Sequence, residues 1–548
     1  MATVGELIVE TLAAHDIDRV FCVPGESYLG LLDALYGRAD VDTVVCRHES
    51  GAGFMALADA RLSGRPGVAC VSRGPGASNA AIAVHTAQQD GVPFILLIGQ
   101  VAARDVRRDS FQEIDYGKMF GSIAKWTAEI TDPERAAETM LRALQTATIG
   151  VPGPVVIAVP EDVLTAQCTA RVVKPQAPIT SAPSAPALAE LRHLLASAQR
   201  PLVISGSGID KSGEREKLLS FLEAWELPSV VTFRCQDLLP NNHRLYAGDM
   251  GLSNPASQMN LLEQADLLVV LGARLTDITT QGYTFPSLVR PSQRLVHIHS
   301  DPTVIGSHFA SDLSLACPAI AVIDAIGRPE KALPDRKQWI EQLRAERQKI
   351  TAVRSFDVDD GVPFELVVDL VGRQLSNDAI VTLDAGTFGA PAYRVIDFKP
   401  PQRLLAPISG AMGFGVPAAV AASLRDPERD VICFVGDGGL LMTGSELTVA
   451  MERNLPLKVI VSENRVYGSI LIHQERDYPG RAVGTRFVNP DLDLIGKAYG
   501  FPVTRISSVS QFSDLANALR SPGPQFIVVD TSVKAILPKP ATLRAAAE

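Results

Sequence analysis

The chain has 548 residues, enough for several domains, and its 46% apolar and 20% charged residues are typical of a globular protein with large cores. A net charge of −10 disfavours a nucleic-acid or anionic-membrane partner, because both kinds of partner attract clustered Lys and Arg. No apolar run is long enough to span a bilayer.

The cysteines and the first residues of the chain indicate the cellular compartment of the protein. The seven cysteines form no CxxC pair and their number is odd, which disfavours a zinc cage or a disulfide framework. The first residues lack a basic region followed by an apolar stretch, so we expect no signal peptide. These features predict a reduced, cytoplasmic protein.

Short apolar runs rich in β-forming residues alternate with helical patterns along most of the chain. Strands that are apolar on both faces and separated by helices are typical of parallel sheets covered on both sides. We therefore expect an α/β protein with doubly wound parallel sheets. In chain order, strands are predicted at 19–23, 67–72, 94–98, 155–159, 202–205, 267–271, 431–435, 457–462 and 525–529, and a helix at 445–453.

Two stretches interrupt this alternation and predict the domain limits. Residues 172–186 are rich in Pro, Ser and Ala and have no apolar period, which is typical of a linker. Residues 327–356 mix charges with helical spacing and predict a second connector with its own helix. The prediction is three α/β units at about 1–165, 187–330 and 355–548.

Polar residues follow two of the predicted strands in the last unit. The strand 431–435 ends in the run GDGG at 436–439, and the strand 457–462 is followed closely by Asn464. Open α/β sheets bind ligands at the carboxyl ends of their strands, where glycines let the backbone approach an anion. Asp437 and Asn464 carry hard oxygen donors suited to Mg²⁺ or Ca²⁺. Taken alone, GDGG indicates only a tight turn, and the dinucleotide pattern GxGxxG does not match.

The pairing of these two turns resembles the signature of thiamine-diphosphate enzymes, in which GDG is followed at this spacing by two asparagines. Here 25 residues separate Gly438 from Asn464, and the first asparagine is replaced by Glu463. The resemblance implies that Asp437, Asn464 and the backbone carbonyl of Val466 bind the metal of the diphosphate.

The run RHESGAGFMALADAR at 47–61 resembles the segment that carries the activating glutamate in the acetolactate synthase family. Without that resemblance, Glu49 would be interpreted as a surface or helix-capping carboxylate. The resemblance implies that Glu49 bonds N1′ of the aminopyrimidine ring and thereby promotes loss of the proton from C2 of the thiazolium.

The run SGAMGFG at 409–415 is similar to the GxMGFG segment of the same family. This similarity implies that Met412 supports the cofactor from below and that the carbonyl of Gly410 accepts a hydrogen bond from its 4′-amino group. Further resemblances extend over nearly the whole chain: VFCVPG at 20–25, SRGPGASN at 72–79, FQE at 111–113, LGAR at 271–274 and VHIHSDPTVIG at 296–306.

The chain is thus identified as a member of the acetolactate synthase and pyruvate oxidase-like enzymes. That implies a pyrimidine-binding domain at 1–165, a central domain at 187–330 and a pyrophosphate-binding domain at 355–548. It also implies a thiamine-diphosphate- and Mg²⁺-dependent carboligase or decarboxylase acting on small 2-oxo acids. The active site of such enzymes lies between two subunits of a homodimer, or of a homotetramer.

The resemblance assigns site residues one by one. It implies Glu49 and Gln112 as catalytic residues. It implies cofactor contacts by Pro24, Gly25, Glu49, Gly386, Thr387, Gly410, Met412, Gly436, Asp437, Gly438, Gly439, Asn464, Val466, Tyr467, Gly468, Ser469 and Ile470. It implies substrate contacts by Glu26, His85, Phe111, Gln112 and His473.

Departures from the acetolactate synthase pattern leave the substrate open. The tryptophan after the metal asparagine becomes His473, and the Pro-Gly-Gly turn becomes Pro-Gly-Glu at Glu26. In the central domain the DID run reads His299-Ser300-Asp301, so FAD could bind there but is not favoured. A 2-hydroxyacyl-CoA or oxalyl-CoA lyase and a carbon–carbon hydrolase remain alternatives. A non-catalytic regulatory member is a more distant one, because it would be expected to have lost Glu49 or the metal pair.

Overall fold

The computed structural model describes residues 1–172, 174–176, 181–210, 213–354 and 356–537. It contains three large sheets of parallel strands with helices between most successive strands, which confirms the predicted fold class. The predicted linker at 172–186 lies partly outside the described residues, at 173 and 177–180. Its last residues begin a helix, because Ser184 caps the helix that starts at Ala185.

The N-terminal part builds the first sheet. A two-residue strand at each end of this part forms a small antiparallel pair, β1 with β8. The large sheet has the order β3-β2-β4-β5-β7-β6. The strands are β1 (Ala2–Thr3), β2 (Arg19–Cys22), β3 (Asp42–Val45), β4 (Gly67–Val71), β5 (Phe94–Gln100), β6 (Trp126–Glu129), β7 (Pro154–Pro160) and β8 (Gln167–Cys168). The helices are α1 (Val4–Ala14), α2 (Leu29–Leu35), α3 (Glu49–Ser63), α4 (Gly74–Asp90), α5 (Tyr116–Phe120), α6 (Ala136–Thr148) and α7 (Glu161–Thr165).

The central part builds the second sheet, in the order β11-β10-β9-β12-β13-β14. The helix predicted within the connector 327–356 is present at Lys337–Thr351. The strands are β9 (Pro201–Ser205), β10 (Ser229–Thr232), β11 (Tyr246–Met250), β12 (Leu267–Leu271), β13 (Arg294–Ile298) and β14 (Leu313–Leu315). The helices are α8 (Ala185–Ser197), α9 (Glu214–Ala224), α10 (Ala256–Leu262), α11 (Ala319–Ile326) and α12 (Lys337–Thr351).

The C-terminal part builds the third sheet, in which five strands follow the order β15-β17-β18-β20-β19. The strands of this part are β15 (Ile380–Leu383), β16 (Arg403–Leu405), β17 (Val431–Gly436), β18 (Lys458–Glu463), β19 (Val503–Ile506) and β20 (Gln525–Asp530). The helices are α13 (Phe364–Gln374), α14 (Ala390–Val395), α15 (Gly415–Arg425), α16 (Asp437–Thr443), α17 (Leu447–Glu452), α18 (Gly468–Asp477), α19 (Leu492–Ala498) and α20 (Phe512–Arg520).

The described residues group into two compact units. One unit takes the described residues of Met1–Ala177, Arg354–Ala392 and Leu405–Glu548, and the other takes those of Pro178–Val353 and Tyr393–Leu404. The first and third sheets therefore lie in one unit and the second sheet in the other. Among the described residues, no helix combines the length and the apolar character that a membrane span requires.

Within the first unit, helix α3 joins the two sheets through its packing on α15. The rings of Phe54 and Phe414 meet edge to face with centroids 5.6 Å apart. Arg425, the last residue of α15, donates hydrogen bonds to the carboxylates of Asp18 and Asp59. Helix α3 is buried on nearly all sides from Ser50 to Ala60, so its sequence shows no polar face.

Candidate functional site

Asp437 lies where β17 passes directly into helix α16. The sequence predicted a turn followed by a helix at 445–453, whereas the structure begins a helix at Asp437 itself. The side chain is only 2% exposed. Its Oδ2 accepts hydrogen bonds from the backbone N–H groups of Asn464 at 3.0 Å and Arg465 at 2.6 Å, and its Oδ1 accepts one from Gly438 at 2.9 Å. Burial raises the pKa of Asp437.

The turn after β18 is held in place by its own backbone contacts. Strand β18 pairs with β17 in parallel, with Gly436 opposite Ser462, so both strands end at the same edge of the sheet. The side-chain oxygen of Asn464 accepts a hydrogen bond from the N–H of Val466 at 3.1 Å. The N–H of Tyr467 donates to the carbonyl of Thr485 at 2.8 Å. Asp437 and this turn are therefore brought together as the sequence predicted.

Met412 and Tyr467 both lie close to Gly438 in the GDGG run. A Cβ on Gly438 would lie 2.9 Å from the Tyr467 ring and 3.4 Å from the terminal methyl of Met412. Only a glycine at this position therefore lets both side chains approach the start of α16. Residues 406–414, between β16 and α15, form the loop that contains Met412, here called the Met412 loop. A hydrogen bond joins this loop to α16, because the hydroxyl of Thr443 donates to the carbonyl of Gly413 at 2.7 Å.

Asp384, at the end of β15, anchors the Met412 loop and was not assigned a role from the sequence. It is fully buried, and its carboxylate accepts hydrogen bonds from the N–H groups of Gly413 and Gly415, both at 3.0 Å. A Cβ on Gly439 would lie 3.0 Å from that carboxylate. The sequence feature that could have revealed Asp384 is its position directly after an apolar run. Asp437 occupies the same kind of position after β17.

The remaining predicted cofactor residues of this part lie beside the turn after β18. A Cβ on Gly468, the first residue of α18, would lie 2.6 Å from the hydroxyl of Thr387, so these two segments touch. Gly386 has a φ of +152°, which lies near the edge of the range that favours glycine. The other predicted residues of α18 are Ser469, which is half-buried, and Ile470 and His473, which are exposed.

Glu49 is the first residue of helix α3. Its Oε2 accepts a hydrogen bond from the side chain of Asn79 at 2.9 Å, and a Cβ on Gly76 would lie 3.2 Å from its Oε1. Pro24 and Gly25 follow β2, and a Cβ on Gly25 would lie 2.5 Å from the Cβ of Ser72 at the end of β4. The structure thus gathers the predicted pyrimidine-side residues at the carboxyl ends of adjacent strands of the first sheet.

The predicted substrate residues of the N-terminal part differ in exposure and in their contacts. The backbone of Gln112 has a φ of +63°, and its carbonyl accepts the N–H of Gly74 at 2.9 Å, whereas Phe111 is 74% exposed. Glu26 bonds the guanidinium of Arg73 at 3.1 Å. His85, on α4, is half-buried.

The contact between Glu26 and Arg73 joins two departures from the family pattern. Glu26 replaces the last glycine of Pro-Gly-Gly, and Arg73 replaces the serine of TSGPGATN. The Arg73 side chain is 11% exposed and also lies 3.4 Å from the carboxylate of Glu161. The charge of Glu26 is thus balanced by the second change.

Glu446 is a further buried carboxylate that the sequence did not reveal. It follows α16 and accepts hydrogen bonds from the N–H groups of Arg47, at 3.1 Å, and His48, at 2.9 Å. A Cβ on Gly51 would lie 2.3 Å from its Oε1. Burial, opposed by those hydrogen bonds, raises the pKa of Glu446 to about 7. Glu446 therefore holds the N-terminus of the helix that carries Glu49.

The predicted residues form two groups within the described part of the chain. Asp437, Asn464, Met412 and their neighbours surround the ends of β17 and β18, and Glu49 belongs to the group on the first sheet. No hydrogen bond among the described residues joins Glu49 to Asp437 or Asn464.

Comparison with known proteins identifies the kind of site. Three domain models of the thiamine pyrophosphate enzymes match in order: the N-terminal thiamine-pyrophosphate-binding domain over residues 2–119, the central domain over 188–326 and the C-terminal thiamine-pyrophosphate-binding domain over 384–529. The C-terminal match contains the Asp437 group, and the N-terminal match contains Glu49.

The chain is also similar along its length to several acetolactate synthase large subunits. It is 29% identical to that of Lactococcus lactis over 530 residues, which cover 96% of this chain and 92% of the relative. It is 30% identical to the isozyme 3 large subunit of Escherichia coli over 97% of this chain and 95% of the relative. It is 30% identical to a probable large subunit of Methanocaldococcus jannaschii over 96% and 91%. The chain therefore belongs to the acetolactate synthase large-subunit-like family of thiamine pyrophosphate enzymes and is itself a thiamine-diphosphate-dependent enzyme.

Proposed function

We propose that this enzyme decarboxylates a small 2-oxo acid and joins the remaining acyl unit to a second carbonyl compound, as an acetolactate synthase-like carboligase. The observation that carries the proposal is the hydrogen-bonded pair of turns at Asp437 and Asn464, in a chain that aligns with acetolactate synthase large subunits over nearly its whole length.

Mg²⁺ fits the donors at the ends of β17 and β18. The proposed ligands are a carboxylate oxygen of Asp437, the amide oxygen of Asn464 and the backbone carbonyl of Val466, all hard oxygen donors. None of the three residues is a histidine or a cysteine, so this set of donors suits Mg²⁺ better than a softer transition metal. Ca²⁺ would be accepted by the same donors.

The residues around the cofactor have separate tasks. Thiamine diphosphate, when bound, supplies the carbon nucleophile for the 2-oxo group and takes up the electron pair left by carbon dioxide. We propose that Met412 and the carbonyl of Gly410 orient it, while Gly436, Gly438 and Gly439 let the backbone approach its diphosphate.

Glu49 is the proposed proton carrier. The amide of Asn79 occupies its Oε2, and Gly76 leaves the space beside Oε1 free of a side chain. Oε1 is therefore the oxygen that would exchange a proton with the pyrimidine ring. Because Glu49 and Asp437 belong to separate groups within one chain, we propose that the complete site forms between two subunits of a homodimer or a dimer of dimers.

Gln112, Phe111, Glu26, His85 and His473 are the proposed substrate-side residues. His473 stands where the relatives' sequence pattern has a tryptophan, and it is exposed at the surface of α18. A polar, smaller ring at this position favours a second substrate other than that of the branched-chain synthases.

We propose that the reaction does not depend on FAD. Directly after β13, buried His299 occupies the first position of the DID run, and burial lowers its pKa to about 4, so the imidazole is neutral. A carboxylate that could accept hydrogen bonds from a ribose is thus missing from that position of the run.

The test is a product analysis with purified enzyme, thiamine diphosphate and Mg²⁺ against a panel of 2-oxo acids. We expect release of carbon dioxide together with an acyloin or a 2-hydroxy-3-oxo acid product. Glu49→Gln should lower the rate by about 10²-fold or more, because it removes the proton carrier but retains the shape of the side chain. Turnover without carbon dioxide release, or full activity of the variant, would contradict the proposal. A visible flavin spectrum in active enzyme would contradict the part that concerns FAD.

A further inference from the structure

Glu463 is a buried carboxylate beside the proposed metal site, at the position where the family motif has an asparagine. It is the last residue of β18 and is only 5% exposed. A buried carboxylate is costly unless charges and hydrogen bonds compensate it. Its presence next to Asn464 therefore requires compensating partners in this chain.

Two arginines supply that compensation. Arg505, on β19, donates from Nη1 to Oε2 of Glu463 at 3.0 Å, and Arg465 donates from Nη2 to Oε1 at 3.1 Å. Arg505 is the less exposed of the two and is also paired with Asp493 and Asp530. The carboxylates hold the guanidinium of Arg505 from several sides and raise its pKa, so its charge is permanent.

Asn489 connects Glu463 to the proposed metal ligand. Its Nδ2 donates to Oδ2 of Asp437 at 3.0 Å and to Oε1 of Glu463 at 3.3 Å. Its own Oδ1 is buried and has no hydrogen-bond partner among the described residues. Both neighbours are acceptors, so they select the orientation in which the NH₂ group of the amide faces them.

This arrangement fixes how Asp437 presents its two oxygens. Oδ2 accepts three hydrogen bonds, from the N–H groups of Asn464 and Arg465 and from Asn489. Oδ1 accepts one, from Gly438, among the described residues. Oδ1 is therefore the oxygen with capacity left for a cation.

We propose that Glu463 and Asn489, held by Arg505, form a positioning chain that turns Oδ1 of Asp437 toward the metal. The inference rests on the proposed metal site. Glu463 does not touch the metal: it orients the amide of Asn489, which in turn occupies Oδ2 of Asp437. Partners that orient metal ligands commonly change metal affinity 10–100-fold when they are removed.

The test measures binding of Mg²⁺ by calorimetry in the presence of thiamine diphosphate, separately from activity. We expect Glu463→Gln and Asn489→Ala each to weaken Mg²⁺ binding by about tenfold or more. The rate at saturating Mg²⁺ should stay within about threefold of the wild type, since the metal ligands remain. Glu138→Gln makes the same chemical change at an exposed carboxylate paired with Arg135, and it should leave Mg²⁺ affinity unchanged.

A double variant, Glu463→Gln with Asn489→Ala, distinguishes a positioning role from a nonspecific structural effect. If Glu463 acts through Asn489, the loss of Mg²⁺ affinity in the double variant should not exceed that of the stronger single variant by more than about twofold. Thermal unfolding without cofactor checks that the variants are folded, and Asn489→Ala, which removes the hydrogen bond to Oδ2 of Asp437 directly, carries the test if Glu463→Gln is unstable.

Two outcomes have different meanings. Wild-type Mg²⁺ affinity in the Glu463 and Asn489 variants, or additive losses, would overturn the positioning chain while leaving the metal site in place, provided that Asp437→Ala abolishes binding. Unchanged Mg²⁺ binding in Asp437→Ala would overturn the proposed metal site itself, and the positioning chain with it.

Discussion

The carboxylates near the proposed site differ in their burial and in their hydrogen-bond partners. Asp437 and Asp384 lie at strand ends and accept backbone N–H groups of the loops they anchor, whereas Glu49 is only half-buried and is held by one amide. Glu446 is fully buried, and both its oxygens face backbone donors. The same chemical group, a carboxylate, thus serves as loop anchor, proposed proton carrier and helix anchor, depending on burial and partners.

Glu446 predicts a pH dependence of stability. Burial raises its pKa from the ordinary 4.5 to about 7 in the folded protein, although the backbone hydrogen bonds from Arg47 and His48 act in the opposite direction. Between these two values the folded chain holds a proton that the unfolded chain has released. The contribution of this proton to the free energy of unfolding is complete below pH 4.5, is lost as the pH rises through about 7, and is absent above.

The variant Glu446→Gln tests this prediction because an amide cannot ionise. Between about pH 5 and about pH 8, the wild type should lose on the order of 2–3 kcal/mol relative to the variant. Denaturant unfolding at several pH values measures the difference, and Glu138→Gln is the exposed control. A wild-type-minus-variant difference that stays constant across this range would contradict the raised pKa.

At the scale of elements, the glycines decide how closely the site segments approach. The run GDGG does not form the loop that its composition suggests, because α16 begins at Asp437 and the loop containing Met412 packs directly on its first turn. Helix α3 is a parallel case: a Cβ on Gly53 would lie 2.3 Å from the Cβ of Ala83 on α4. Small residues at these positions are required by neighbours that are far away in sequence.

The variant Gly438→Ala tests how much stability depends on the close approach of the Tyr467 ring to Gly438. Alanine favours a helix over glycine, but its Cβ would meet the Tyr467 ring at 2.9 Å. We expect the steric conflict to prevail and to destabilise the protein by about 1–3 kcal/mol, with weaker binding of thiamine diphosphate. In a double-mutant cycle with Tyr467→Ala, the two changes should show a favourable coupling, measured by denaturant unfolding. Additive effects would show that the ring is not what opposes the methyl group.

At the scale of the whole molecule, three α/β units were predicted and the described residues form three large parallel sheets, but the grouping of these sheets was not foreseen. The first and third sheets share one compact unit, and they are connected by the packing of α3 on α15. Periodicity reveals strands and helices locally, whereas a contact between residues such as Phe54 and Phe414 leaves no periodic trace in the sequence. The domain limits at 1–165, 187–330 and 355–548 stay predictions.

A site shared by two subunits can be tested by mixing variants. Glu49→Gln and Asp437→Ala should each be nearly inactive alone. If each site takes Glu49 from one subunit and Asp437 from the other, a mixed dimer holds one site with both changes and one intact site. Unfolding and refolding an equimolar mixture should then recover about one quarter of the wild-type activity. No recovery, with mixed dimers verified by native mass spectrometry, would place both residues of a site on the same subunit.

The sequence by itself determined the fold class, the cofactor family and the pairing of Asp437 with Asn464, because these depend on local apolar runs and on a motif of fixed spacing. Only the tertiary structure revealed Asp384, Glu446 and the chain from Glu463 through Asn489 to Asp437. The partners in each case are far apart along the sequence and meet only after the sheets have formed. A carboxylate in a sequence shows its charge, but the burial and the hydrogen bonds that decide what the charge does belong to the folded molecule.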